Sequence, residues 1–228
     1  MIVPGSAFIP KAAGDPYWDN VVLLMHMDGA NGSTTFVDEK GHTVTAHGYA
    51  EVSTVESKFG GASAAGFYTG GSVDKLTVPA STDFELTGDF TIEAFVHTAD
   101  LSSSNNTFLD LRSGGGGVFL IKVDTARTLS YYRTSTISGT DAYPLNTWFH
   151  VAFCRVGSTL SAYLDGVHQF DVTETQNTDS STSPTIGNGY VADFTSPLNG
   201  YIDDLRITKG VARYTGDFTV PSAPFPNS

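Results

Sequence analysis

Hydrophobic positions fall in short runs, alternating or continuous, and no long stretch repeats at helical spacing. Val21-Val22-Leu23-Leu24-Met25-His26-Met27 is a nearly unbroken apolar run closed by Asp28-Gly29, the pattern of a strand buried on both faces. Phe90-Thr91-Ile92-Glu93-Ala94-Phe95-Val96-His97 places Phe90, Ile92, Ala94 and Val96 on one strand face. Further strands are predicted over 107–111, 117–123, 128–133, 148–156 and 200–208. In Tyr163-Leu164-Asp165-Gly166-Val167-His168 an Asp-Gly pair separates two such segments and selects a type I′ hairpin, whose central residues both need positive φ. Small polar stretches at 30–35, 60–71, 102–106, 114–117 and 178–183 read as loops. About a dozen short strands without helices predict two stacked antiparallel sheets, an all-β jelly-roll sandwich over residues 20–228. Its end, 209–228, carries Pro221, Pro224 and Pro226 and is expected to cross the sheet as a strand-free tail.

Residues 1–19 read as an extended arm. Pro4, Pro10 and Pro16 with Gly5 and Gly14 deny it ladder partners, while Ile2, Val3, Phe8 and Ile9 give it apolar surface to dock on a partner chain or on its own domain. Composition narrows the class. Only 16% of residues are charged, against about 25% in ordinary soluble domains. Gly 24, Phe 15 and Tyr 10 suit strands and tight turns and exclude helical bundles and coiled coils. A net charge of −12 with 12 Lys and Arg argues against nucleic acid and anionic membranes and favours a divalent cation. No run is long enough to span a bilayer, and the opening residues lack the basic start of a secretory signal, so synthesis and assembly in the cytoplasm are expected. One cysteine, Cys154, rules out an internal disulfide, and its apolar strand predicts burial rather than reactivity.

Six ordered segments carry a family resemblance: Leu23 to Gly29, Lys58 to Ser63, Asp89 to Val96, Asn146 to Ala152, Tyr163 to Gly166 and Gly200 to Ile207. Together they resemble a laminin G-like domain of the concanavalin A-like lectin/glucanase superfamily. Lys209-Gly210-Val211-Ala212-Arg213-Tyr214-Thr215-Gly216-Asp217-Phe218 is similar to the subset found in bacteriophage structural proteins. Where the family usually has Trp after the Thr-Ile-Glu strand motif, this chain has Phe95-Val96, and the arm lies outside the family pattern. The resemblance implies a non-enzymatic virion surface protein, either capsid decoration or tail-fibre accessory. Such a protein would dock through its arm on other virion proteins, form a homo-oligomer (a trimer would suit virion symmetry) and offer a lectin-like surface to glycans. The alternatives are a free calcium-dependent lectin and a glycoside hydrolase.

Candidate chemistry is sparse. Retaining glycosidases need two carboxylates about 5–5.5 Å apart, whereas Glu93 stands alone on its strand and is read as structural. Asp165 is explained by its turn, and His150 with Cys154 by the core. The tyrosines Tyr131, Tyr132, Tyr143 and Tyr190 lie where an aromatic sugar platform could form, though packing explains them as well. Alternation puts Tyr201, Asp203, Leu205 and Ile207 on one face and so buries Asp203. Asp204 and Arg206 fall on the other, expected to form exposed pairs with each other or with neighbouring strands. A buried carboxylate needs a cation or several donors. The resemblance implies a structural calcium held by Asp28 and Asp203, helped by loop carbonyls of Gly29, Ala30 and Asn31. The competing reading has Asp203 accepting backbone N–H groups and Asp28 capping a turn.

Overall fold

Two antiparallel sheets stack across one apolar core in a computed structural model that describes residues 14–68, 74–99, 105–112, 120–124, 127–133, 135–189 and 196–228. The first sheet runs β13 (Val167–Thr173), β12 (Thr159–Leu164), β11 (Trp148–Val156), β6 (Phe90–Thr98), β15 (Gly200–Lys209), β4 (Ser63–Ala65) and β3 (Glu51–Ser53). Its eighth strand, β1 (Val21–Met25), pairs with the second half of β15, beyond the point where β4 pairs with Ile202. The second sheet runs β10 (Thr136–Ala142), β9 (Thr128–Tyr132), β8 (Leu120–Asp124), β7 (Asn105–Asp110), β14 (Thr185–Ile186), β5 (Lys75–Thr77) and β2 (Thr45–His47). The predicted hairpin forms between β12 and β13, with Asp165 at φ 48° and Gly166 at φ 79° as a type I′ turn requires.

Inner faces follow the alternation. Phe90, Ile92, Ala94 and Val96 of β6 and Phe149, Val151 and Phe153 of β11 meet Leu76, Phe108, Leu129 and Ile186 from the opposite sheet. Each fully buried side chain of this size contributes about 1.5–3 kcal/mol, so this layer dominates the stability. The short strands β2, β3, β4, β5 and β14 escaped the pattern because two or three residues are too few to show a period. β4 lies within the stretch 60–71 read as loop, and β10 is a mostly exposed edge strand without an apolar face.

Much of the outer face of the first sheet is also covered. Tail residues Tyr214 and Phe218 pack over Cys154 and Tyr163, and Phe225 packs over Phe95, Val21 and Leu24. Backbone and side-chain bonds pin the tail along its length: Arg213 N donates to Thr91 Oγ1 (2.8 Å), Phe218 N to the Gly166 carbonyl (2.9 Å) and Phe225 N to Asp204 Oδ2 (2.7 Å). The tail therefore crosses the sheet as expected, without strands of its own.

The N-terminal boundary needs correction. Residues 1–13 of the expected arm lie outside the described residues, but 14–19 belong to the sandwich. Asp15 is buried, its N–H donates to the Ser228 carbonyl (2.7 Å), and Trp18 packs beside Phe225 and Phe95. The proline spacing that suggests an arm carries no information about this buried carboxylate.

Phe225 joins tail, sheet and N-terminal segment, with its ring 6.0 Å from that of Phe95 and 3.9 Å from the Arg206 guanidinium. Phe225→Ala is expected to cost about 3 kcal/mol in urea unfolding; a loss below about 1 kcal/mol would show that the tail rests on the sheet without being part of the fold.

Candidate functional site

Strand β15 does not keep its alternation. Asp203 pairs with Phe95 of β6, but the next paired residue is Arg206 with Glu93, so one extra residue is inserted and Asp204 sits at φ 51°. This β-bulge re-aims the side chains around it. Tyr201 and Asp203 face outward with His97 and Phe95, whereas Leu205 and Ile207 point into the main core. The four residues expected on one face are therefore divided between two. Asp203 is still buried, because the 58–59 loop covers it.

Asp203 Oδ2 accepts the N–H groups of Lys58 (2.8 Å) and Phe59 (3.0 Å), while its buried Oδ1 has no partner among the described residues. Burial pushes its carboxyl up to about 7, with the charges of Asp204 and Asp28 adding and the two N–H groups opposing. Asp204 is buried too. Its Oδ1 meets His26 Nδ1 at 2.5 Å and its Oδ2 holds the tail at Phe225. That hydrogen bond to Asp204 raises His26 against its partial burial. Asp28, exposed overall, has its carboxylate against the Gly60 backbone, where a Cβ would stand 2.0 Å from Oδ1; burial there, with Asp204, raises it. His26, Asp28, Phe59, Asp204 and Phe225 line a cavity of about 270 Å³.

For the predicted metal residues, both Asp28 and Asp203 thus lie in one acidic neighbourhood, and Asp203 keeps one oxygen available beside its two N–H donors. Among the described residues no three His, Cys, Asp or Glu side chains converge as a ligand set, so any cation here would depend on backbone oxygen as well. Of the carbonyls expected to be free, that of Ala30 already accepts Ser33 N (2.9 Å).

Asp204 and Arg206 pair with neighbouring segments rather than with each other, and both are buried instead of exposed as expected. Arg206 is 4% exposed, and it donates through Nε (3.0 Å) and Nη2 (2.7 Å) to Glu93 Oε1 and through Nη1 (2.8 Å) to Asp15 Oδ2. The bulge turned Asp204 toward His26 and left Arg206 under the tail. Arg213 adds a fork onto Asp15 (3.0 and 2.7 Å), and the Tyr214 hydroxyl donates to Glu93 Oε2 (2.9 Å). Burial alone would raise Glu93; His150, 3.3 Å away, and Arg206 outweigh it and hold the carboxyl at about 2. Cys154, under Tyr214, has its thiol pushed up to about 12 by burial, so thiolate chemistry is closed to it at neutral pH. Tyr131 and Tyr143 are core residues, and Tyr190 lies outside the described residues. Among the described residues Tyr17 (42% exposed), Tyr49 (71%) and Tyr68 (42%) reach solvent, the last two in a stretch whose strands the periodicity did not show.

A sandwich with this strand order and a bulged strand beneath a strapped tail defines a lectin-like jelly roll. Residues 69–213 match a family of the Concanavalin A-like lectin/glucanases superfamily, and the chain belongs to that family. No curated protein matches the sequence significantly. Among solved structures, domain 4 of AbnA, a GH43 extracellular arabinanase from Geobacillus stearothermophilus in complex with arabinotriose, is similar at a TM-score of 0.61 and 17% identity, over 85% of this chain and 94% of that one. Trypanosoma rangeli sialidase in complex with sialic acid is similar at 0.62 and 14%, over 83% of this chain and 31% of the sialidase. The botulinum neurotoxin serotype D binding domain is similar at 0.59 and 13%, over 86% and 49%. At these identities the likeness is one of fold.

Glu93 supplies the pH test. Its folded value lies below the usual 4.5, so its contribution is present above about pH 4.5 and is lost as pH falls toward 2. Glu93→Gln is expected to destabilise the protein by about 3 kcal/mol at pH 7, because the buried Arg206 keeps only Asp15 of its two carboxylate partners, and to flatten the acid limb of the stability curve. An unchanged acid limb would contradict the assignment.

Proposed function

We propose that the chain is a non-enzymatic, lectin-like module that binds glycans through the rim of its sandwich. The observation that carries this reading is membership of the lectin/glucanase superfamily joined to a fold likeness with a domain holding arabinotriose. The state of Glu93 agrees with it. A carboxylate forked by Arg206, bonded by Tyr214 and sealed beneath the tail has neither the access nor the proton affinity of a glycosidase acid.

Calcium enters the proposal as a structural ion. Asp203, with its unpartnered buried Oδ1, and Asp28, against Gly60, would hold it. When bound, the ion would neutralise the crowded carboxylates and tie the 58–60 loop to the bulge. A glycan array run with calcium and with chelator, beside melting curves under both conditions, tests the two parts together. Glycan binding and a melting temperature several degrees higher in calcium are expected, the shift being lost in Asp203→Asn. Binding without a calcium shift removes the ion and keeps the lectin, whereas an array silent in both conditions contradicts the lectin.

The setting we propose is the surface of a bacteriophage particle, assembled in the host cytoplasm, with the first residues docking a homo-oligomer on other virion proteins. Support comes from the Lys209–Phe218 segment, whose resemblance to phage structural proteins lies in the part of the tail that straps the sheet. Gold-labelled antibody is expected to mark the head or the tail tip of purified particles. Unlabelled particles would leave a free lectin as the better account.

A further inference from the structure

We infer that a groove at the rim, between the segment after β4 and the start of β15, is the subsite for one ring of a neutral saccharide; this rests on the glycan-binding reading above. Tyr68 and Tyr201 flank the groove, with Phe67, Ala99, Asn199 and Gly200 completing most of its wall. Its volume is about 140 Å³. Pockets for drug-sized ligands run to about 300–1,000 Å³, so this one suits a single sugar ring.

The lining decides the chemistry. No Lys, Arg, His, Asp or Glu lines the groove among the described residues. A carboxylated sugar would find no cation there, and it would meet the field of a chain carrying a net charge of −12. A neutral ring presents what the wall can use, C–H faces for aromatic stacking and hydroxyls for hydrogen bonds. Tyr68 is 42% exposed and Tyr201 half-buried, and neither hydroxyl has a hydrogen-bond partner among the described residues.

The platform is braced from below. Strand register aligns Tyr201 of β15, His97 of β6 and Trp148 of β11 in one row across the outer face. The His97 ring meets Tyr201 edge-on at 5.5 Å and lies 5.5 Å from Trp148. His97 is 5% exposed, which limits the ring motion available to Tyr201. Gly200 lets the two strands close on each other at this point, since a Cβ there would stand 1.9 Å from the His97 carbonyl oxygen. A wall held in place before binding loses less entropy when a ligand arrives. The Phe225 strap covers the face above Phe95, two register pairs away, leaving this end of the row partly open.

Isothermal titration with arabinotriose and cellotriose as neutral probes and sialyllactose as the acidic probe tests the inference. The intact protein is expected to bind a neutral trisaccharide and to show no preference for the sialylated one. Tyr68→Ala and Tyr201→Ala should each weaken binding about tenfold, the loss of one stacking partner. Tyr201→Phe, which keeps the ring, should retain most of it. Melting temperatures measured alongside separate lost binding from lost folding, and Tyr68, being exposed, gives a variant whose fold is not at risk. Neutral binding with both alanine variants unaffected would overturn the groove and leave the glycan reading standing. Preference for sialyllactose would overturn the neutral assignment. Binding of none of the probes, with the glycan array also silent, would overturn both.

Discussion

Four buried charges fix how the pieces of this sandwich meet. Asp15 precedes the first strand, Glu93 lies mid-sheet on β6, Arg206 follows the bulge of β15, and Arg213 belongs to the tail. Two negative and two positive groups cancel, and each of the carboxylates is met by a guanidinium at 2.7–2.8 Å. Pairing in low dielectric offsets the cost of taking such groups out of water without adding much net stability, which comes from the apolar layer between the sheets. What the network supplies is a tie between segments: Arg206 holds both Glu93 and Asp15, and Arg213 of the tail holds Asp15, so another path of the tail or of the N-terminal segment breaks at least one of these pairs. Asp15 and Arg213 are 198 residues apart in the chain, so the constraint is long-range and closes late.

That closure explains the limits of the periodic reading. A face buried between sheets shows itself as alternation, and Phe90, Ile92, Ala94 and Val96 were legible for that reason. The opposite face of β6 is buried just as deeply, but it carries Thr91, Glu93, Phe95 and His97. Three of these are polar or charged, which ordinarily signals solvent; the tail covers Thr91 and Glu93, and Trp148 and Tyr201 flank His97. The Asp-Gly hairpin was readable because its chemistry is local. The charge network joins four distant segments, and no spacing rule connects them.

The bulge was the second hidden feature. Asp203-Asp204 reads as one buried and one exposed acid if strict alternation is kept. With one residue inserted, both become interior, Asp203 tying down the 58–59 loop and Asp204 holding His26 and the tail. An acidic doublet in an otherwise apolar strand is the trace such a bulge leaves in a sequence, though it does not say which acid turns which way. The candidate sugar groove was less legible still. Tyr68 follows a three-residue strand, and Tyr201 becomes a braced platform only through its register with His97 and Trp148.

Strapped outer face, bulge and rim groove form one sequence of dependence. The network seats the tail, the tail and the 58–59 loop cover the bulge, and the uncovered end of the same strand row meets the groove at Tyr201. Binding of a neutral glycan at this rim is the central claim. Amide chemical-shift mapping of the isotope-labelled protein during titration with arabinotriose tests it most directly. Shifts concentrated at 66–68 and 199–201, with the tail unmoved, are predicted. Shifts confined to the opposite sheet, or a spectrum unchanged at millimolar sugar, would contradict it.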